Sequence, residues 1–539
     1  MRGLAAVVLA LAAASARAQT LVDPHLQLQR IHDTNALLTG LAFIGEDDFL
    51  ISLKNNGWVR RVTHGIVEPA PVVDLAVEAA GENGLLGIAT DPDFDHNRYV
   101  YLYYSESSTG GDTNGVPGLG NRVYRYRWNG SALVEPKRIL DLPLSGTNHN
   151  GGALTFGPDD ALYLVIGDQN RFGKLQNLSF GPNPDDTGVI FRVDTEGRGL
   201  GDNPFYNRAN PADPLNRYLA YGVRNSFGLD FDPRTGDLWD TENGPDFYDE
   251  INRVTPGFDS GWIRLMGPAA RDAEGTTDLW ITPGAAYSDP EFSWKVPVAP
   301  TAIAFVASRV MGCELEHTAL VGDVNCGLLR RFRLDPTRTA LAFSAPELAD
   351  NVADNDADPC TTEQDELVFG SGFFVATDIE NAPDGTLYVT SLAPNPSVIR
   401  IAPLAGSFPD ADGDLVDNAC DCAPGDVGAF APPVEVPRLR VSGRSPLGLG
   451  WNAQRGTAGS GTKYAVVSGS LAALHSGGLA TSCTLAANLA LPRDDDTRAA
   501  PPAGDGYFYL VRASNSCAAA TFGAGRTALD AALPPACPP

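Results

Sequence analysis

Residues Gly146–Asn170 read GTNHNGGALTFGPDDALYLVIGDQN. The stretch holds a histidine in a glycine-rich turn, a short apolar run, an Asp/Pro/Gly turn, a second apolar run and a terminal aspartate. Turn residues that feed an alternating aromatic and β-branched run describe a tight turn leading into a half-buried strand. The same phrase returns as IGEDDFLISL from Ile44, DPDFDHNRYVYLYYS from Asp91, GPDDALYLVIGD from Gly157, DPRTGDLWDTENG from Asp232, EHTALVGDV from Glu316 and APDGTLYVTSL from Ala382. Six copies, spaced by several tens of residues, predict an all-β chain whose main body is a six-bladed β-propeller with long insertions between blades, the degenerate first and fifth copies leaving five or seven blades as alternatives.

The residues outside the repeat set compartment and partners. MRGLAAVVLALAAASARA combines Arg2, an apolar core and the small-x-small site Ala16-Arg17-Ala18, which predicts a cleavable signal peptide over 1–18. Its apolar core falls short of the roughly 20 residues that a membrane span needs, and no other stretch qualifies. Eight cysteines form an even set suited to an oxidising compartment, secreted or periplasmic, and about 105 pairings leave their connectivity open. A net charge of -27 disfavours nucleic acid and anionic lipid and leaves calcium, small neutral molecules or basic proteins as partners.

Composition also divides the chain. The blades are expected over 20–404, ending in IRIAPL, followed by an acidic turn-rich segment over 408–428 and a module over 434–539. Within the acidic segment Asp410, Asp412, Asp414, Asp417 and Asp421 stand at places 1, 3, 5, 8 and 12, an oxygen-rich alternation that wraps calcium. Gly413 stands fourth, where an EF-hand needs its glycine sixth. The segment resembles a thrombospondin type 3 calcium repeat, and Cys420 and Cys422 suit that family's cysteine usage. The last module carries LGLGWNA, KYAVVSGS and GYFYLVRAS, short alternating strands at the size of a β-sandwich. It resembles a fibronectin type III-like domain, with Cys483 and Cys517 as the expected staple, Cys537 as competitor, and Trp451, Tyr507 and Tyr509 as expected core.

Chemistry is expected at His149. Asn148, Asn150, Gly151 and Gly152 surround it with small residues, which predicts an accessible imidazole at a blade edge. A neutral imidazole takes a hydroxyl proton near neutral pH, and a nearby carboxylate fixes its tautomer and stabilises its charged form. Asp168, at the end of the next strand, is the candidate carboxylate. On pattern alone the competing reading stays open, in which His149 caps a turn and Asp168 accepts backbone hydrogen bonds.

Four ordered segments carry a resemblance: GENGLLGIATDPDFDHNRYVYLYYS, NHNGGALTFGPDDALYLVIGDQN, YGVRNSFGLDFDPRTGDLWDTENGPDFYDEINRVTPGFDSGW and APDGTLYVTS. Together they resemble the soluble quinoprotein glucose/sorbosone (aldose sugar) dehydrogenase family over about Thr20 to Leu404. The resemblance implies a six-bladed propeller that binds pyrroloquinoline quinone (PQQ) and calcium and oxidises a small-molecule sugar, an aldose or related polyol, passing electrons to an external acceptor. It places His149 on the catalytic base, Asp168 on its orienting carboxylate, and Arg224 and Asn225 on cofactor contacts. Arg224 would stabilise an oxyanion on the reduced quinone; a salt bridge between blades is its structural alternative. Gly244 and Pro245 fall where two backbone carbonyls bind calcium, Asp249 and Glu250 where a second calcium or a loop-fixing hydrogen bond is expected, and Glu82 and Asn148 on sugar contacts.

Departures from the family are equally specific. Asn325 occupies the position of a cofactor-binding lysine, and Val375 and Thr377 replace two arginines ahead of Asp378. Each lost cation removes a charge-assisted hydrogen bond of about 1.5–3 kcal/mol to an anionic cofactor. Lys295, Arg330 or Arg331 are candidate substitutes, although RRFR would alternate around a strand. The alternative function is a non-catalytic, calcium-stabilised propeller binding module, as in the hedgehog-interacting relatives. A metal-dependent lactonase would need a ring of carboxylates around the axis, and the sequence suggests none.

Overall fold

The computed structural model describes residues 19–538 except 35, 356–357, 361, 393–395, 437–438, 444–445 and 524–525, so the expected signal peptide over 1–18 lies outside the described residues. The chain divides into two compact units. The larger holds the described residues up to Val306 together with His317–Ala382 and Leu387–Ala402; the smaller holds Ala307–Glu316, Pro383–Thr386 and the rest from Pro403.

In the larger unit every copy of the turn phrase occupies the same structural place. The strands Leu38–Gly45, Leu85–Thr90, Leu154–Phe156, Ser226–Phe231, Pro300–Phe305 and Ala376–Asn381 each open a sheet. Each pairs antiparallel with the strand that the phrase leads into: Asp48–Leu53, Tyr99–Glu106, Leu162–Ile166, Leu238–Glu242, Ala319–Asp323 and Leu387–Ser391. The opening strands then pack against one another in chain order, and the sixth packs back against the first. Six sheets among the described residues therefore stand in a closed ring, the architecture of a β-propeller.

Apolar cores lie between neighbouring sheets. Leu162, Leu164 and Ile166 of the third sheet pack with Tyr101 and Tyr103 of the second, whereas Tyr163 and Val165 pack with Leu229 and Leu238 of the fourth. With a neighbour on both faces, LYLVI is apolar throughout and fully buried instead of alternating. The ring is closed by the chain's beginning: Thr20–Leu21 pairs with Val368–Ser371 in the fifth sheet, and Leu26–Asp33 lies beside Ser397–Pro403 in the sixth.

The smaller unit contains two three-stranded antiparallel sheets. Leu449, Trp451, Tyr464, Val466, Val511 and Ala513 form its main core. Trp451 is core as expected; Tyr507 and Tyr509 are only partly buried, the first under the Arg498 guanidinium and the second bonded to Asp496. Disulfides join Cys313–Cys420, Cys326–Cys360, Cys422–Cys517 and Cys483–Cys537. The expected Cys483–Cys517 staple is thus replaced by two separate bonds, because the strand at Cys483 bridges the C-terminal segment through Thr484 and Ala536, which brings Cys537 to it.

Candidate active site

Antiparallel order decides where function collects. Every opening strand starts at one end of the ring and runs to the turn phrase at the other; the second strand returns. Residues just before an opening strand, and just after a second strand, therefore meet at the same end. His149 precedes Leu154, Glu82 precedes Leu85, Arg224 and Asn225 precede Ser226, Asp168 follows Ile166, and Gly244 follows Glu242.

The first pair forms a dyad. His149 Nδ1 lies 2.5 Å from Asp168 Oδ1. His149 is 5% exposed and Asp168 2%, so the expected accessible imidazole is instead buried. The reason is local: His149 has φ 59, and this left-handed turn directs the ring inward onto the carboxylate. With Nδ1 engaged, Nε2 is the ring atom left to a ligand, the tautomer a proton acceptor needs. Asp168 is held on both oxygens, Oδ1 also accepting from Asn170 N at 2.9 Å and Oδ2 from Trp262 Nε1 at 2.6 Å.

Gly167 is what lets these segments meet. A Cβ there would stand 2.6 Å from both the Arg224 and His149 carbonyl oxygens. Beside it Asp168 N donates to Arg224 O at 2.8 Å, tying the third sheet to the start of the fourth.

Glu82, expected as a sugar contact, braces the dyad. Its Oε2 accepts His149 N at 2.6 Å and Asn150 N at 3.3 Å, and Asn225 Nδ2 lies 3.4 Å from either oxygen. Burial pushes the Glu82 carboxyl above the usual range, against the pull of His149 and these donors. Asn150 anchors the other side of the turn, donating to Asn83 and accepting from Asn121 and Gln169. Asn148 is partly exposed at the rim. Lys54 donates to the carbonyls of Ala79, Gly81 and Asn83; burial draws it down to about 8, against Glu82 and Glu78.

Arg224 makes no ion pair with any described residue, which overturns the salt-bridge alternative. Its Nη1 donates to Asn243 O at 2.8 Å, while its Nε is buried without a partner, as is Asn225 Oδ1. Burial draws the guanidinium below the usual arginine range, against Asp168 first and then Glu242, Glu82 and Asp249. A buried, unpaired cation with an unused donor suits an oxyanion.

The Gly244 turn follows. Gly244 N donates to Asp249 Oδ1 at 2.8 Å, and Asp249 Oδ2 accepts Ala299 N at 2.7 Å, so Asp249 fixes this loop. A Cβ on Gly244 would stand 2.2 Å from Tyr248 O, and only glycine permits so tight a turn. Glu250 is buried, accepts Gly267 N at 2.5 Å, and is pushed up to about 8 by burial. Gly244 and Pro245 thus offer backbone carbonyls in a fixed loop, donors of the kind a hard cation takes.

The positions that depart from the family offer no cation. Asn325 is exposed and bonds Pro297 O, Thr377 Oγ1 bonds Leu38 O and Thr390, and Val375 lies in the left-handed region at φ 53. Of the expected substitutes, Arg330 is fully buried in an ion pair with Asp323, Lys295 faces Asp354 at 3.8 Å, and Arg331 is partly buried.

A cavity of about 440 Å³ runs down the axis, with all six opening strands in its wall. Lys54 and Glu82 line it near the dyad; toward the turn end it meets Asp230, Asp378 and Glu380. The sequence suggested no carboxylates around the axis, yet these three stand there, brought together from the fourth and sixth sheets. Burial pushes Asp230 and Asp378 up to about 7 and Glu380 well above its usual range. They are not among the described carboxylate groups whose oxygens converge closely enough for one ion.

In the smaller unit Asp410, Asp412 and Asp414 do converge in that way. Asp412 Oδ2, Asp414 Oδ2 and Asp421 Oδ2 are buried without partners. Burial, then Asp412, Asp421 and Asp410, pushes Asp414 up to about 6. Asp414, Asp417 and Asp421 each also shape the turn, their Oδ1 atoms accepting Val416 N, Ala419 N and Ala423 N.

Two residues that touch the dyad segments escaped the sequence reading. Trp262 and Gly167 are both inside segments quoted for the resemblance, but neither side chain advertises chemistry.

Comparison with known proteins identifies the family and the fold. Residues 37–400 fit the family model described as Glucose / Sorbosone dehydrogenase. Quinoprotein glucose dehydrogenase B of Acinetobacter calcoaceticus is 26% identical over 385 residues, covering 58% of this chain and 78% of that protein. Aldose sugar dehydrogenase YliI of Escherichia coli is 25% identical over 372 residues, covering 67% and 89%. The PQQ-bound form of an aldose sugar dehydrogenase from Streptomyces coelicolor shares the fold, with a TM-score of 0.51, 23% identity, and coverage of 72% of this chain and 98% of that one.

Proposed function

The chain belongs to the glucose/sorbosone dehydrogenase family, and from that premise we propose that it is a PQQ-dependent oxidoreductase that oxidises an aldose or related polyol by base-assisted hydride transfer. The observation that carries this reading is the 2.5 Å contact between His149 and Asp168, with Nε2 left for a substrate hydroxyl. His149 takes the proton; Asp168 holds the ring and stabilises its charged form. Where bound, PQQ supplies the hydride acceptor and calcium its Lewis acid. The residues fit the reactive end of that group: Arg224, with its unpaired Nε, and Asn225 would face the quinone oxygen, and Gly244 and Pro245 would hold calcium through their carbonyls. Asn325, Val375 and Thr377 leave the cofactor's carboxylate end without cations, so binding rests on Arg224 and the metal. Glu82, which lines the cavity, and Asn148 would contact the sugar. Glu250 would serve a second calcium, and Asp410, Asp412, Asp414, Asp417 and Asp421 a structural one, supported by the convergence of Asp410, Asp412 and Asp414 and by the unpartnered oxygens of Asp412, Asp414 and Asp421. Secretion or periplasmic residence is supported by the disulfides; among the described residues no helix is long and apolar enough to cross a membrane. An external acceptor would reoxidise the cofactor.

The test is reconstitution with PQQ and calcium, followed by quinone reduction on adding a panel of aldoses. His149→Ala is expected to lose about 10²- to 10⁴-fold in rate, the usual contribution of a positioned base. Absence of PQQ retention at micromolar concentration would sink the reading in favour of the binding module, which the kept dyad disfavours.

A further inference from the structure

We infer that Trp262 is a positioning residue that keeps Arg224 and Asp168 apart, so that one cation and one carboxylate perform separate tasks at the proposed dehydrogenase site. The inference rests on that functional reading for its kinetic consequences but not for its geometry.

The indole touches both charges. Its Nε1 donates to Asp168 Oδ2 at 2.6 Å, and the Arg224 guanidinium carbon lies 5.3 Å from its ring centroid. Asp168 exerts the strongest pull of any carboxylate on Arg224, ahead of Glu242, Glu82 and Asp249. Two opposite charges so placed in a poorly solvated site would ordinarily close into a bidentate ion pair. They do not: Arg224 has no carboxylate partner within ion-pair distance among the described residues, and its Nε stays unpartnered. The indole edge satisfies the oxygen that the guanidinium would take, while the indole face offers the guanidinium a cation–π contact in its place. Trp262 is itself pinned by its backbone, donating to Gly222 O at 3.0 Å and accepting from Asn177 Nδ2 at 3.2 Å.

Collapse of the pair would cost both functions. Asp168 would share its charge with Arg224 and hold the His149 ring less firmly, and Arg224 would no longer be free to meet an oxyanion.

Two substitutions separate the edge from the face. Trp262→Phe keeps the ring and deletes the N–H donor, so the carboxylate accepts more strongly from the imidazole and the acid limb of the pH–rate profile moves to higher pH. Trp262→Ala opens the gap, so Arg224 closes on Asp168, the acid limb moves to lower pH, and kcat falls by about 10- to 100-fold, the range for losing one charge-assisted hydrogen bond. Shifts of opposite sign are not produced by general loosening of the fold, which thermal melting of both variants would report. A crystal structure of Trp262→Ala should show a guanidinium–carboxylate contact shorter than about 3.2 Å. Arg224 and Asp168 remaining apart in that structure, or both variants shifting the profile the same way, would overturn the inference. If the parent protein with PQQ and calcium oxidises no aldose, the proposed function fails, while the crystal structure still decides whether Trp262 holds the charges apart.

Discussion

The two ends of the ring give buried carboxylates different partners. At the dyad end Asp168 has a donor on each oxygen, an imidazole among them, and Glu82 is met by two backbone amides and Asn225. Toward the turn end Asp230 and Asp378 accept only backbone amides, and Asp230, Asp378 and Glu380 stand together with no described cation beside them. The contrast teaches that burial alone does not make a charge useful. A carboxylate becomes chemically effective when donors fix its orientation toward a group that moves a proton, as Asp168 is fixed on His149.

This contrast can be broken most severely at Asp168. Asp168→Asn keeps the shape but presents the wrong hydrogen-bond partner to His149 Nδ1, and kcat is expected to fall by about 10³- to 10⁴-fold, measured with saturating PQQ and calcium. Next comes Arg224→Gln, which leaves the dyad intact and removes the unpaired cation; PQQ affinity, read by equilibrium dialysis, should weaken by about 10- to 100-fold. Gly167→Ala drives a methyl into the carbonyls of His149 and Arg224, and a denaturant melt should show a loss of about 1–3 kcal/mol together with lost activity.

The smallest effect sharpens the comparison from the other end. Carboxylates in an unfolded chain titrate near 4, whereas Asp230 and Asp378 are pushed up to about 7 and Glu380 higher. Between those values the folded protein binds more protons than the unfolded one, so stability falls as pH rises from about 4 through 7. Metal-free protein should therefore melt several degrees lower at pH 8 than at pH 5. Glu380→Gln should raise the melting temperature at pH 8 and flatten that slope; an unchanged slope would show that these acids carry no excess protons.

How much was legible follows from where each signal resides. The repeat was readable because each turn phrase is local, with its turn chemistry and its strand adjacent in sequence, and all six phrases fall at the same bend of a sheet. His149 and Asp168 were readable because they flank one strand pair. Trp262 was not, since its hydrogen bond to Asp168 spans 94 positions and a buried tryptophan looks like core. The bracing role of Glu82 was not legible because the partners concerned are backbone amides 67 and 68 positions away, which no side-chain pattern reveals. The accessibility expected of His149 failed because small neighbours permit an inward turn as readily as an outward one. Asp230 and Glu380 escaped for a related reason: each sits in an ordinary strand phrase, and only ring closure brings them face to face.

That closure has a kinetic consequence. The seam joins residues made first to residues made much later: Thr20 meets Ser371, and Arg400 Nη1 donates to Gln29 Oε1 at 2.8 Å across 371 positions. Contacts so distant in sequence are slow to form. An emerging chain can build the middle sheets as it lengthens, but it must hold its first strands unpaired until the last ones arrive. A nascent chain stopped before Ser397 would keep an open edge, exposed to strands of other molecules.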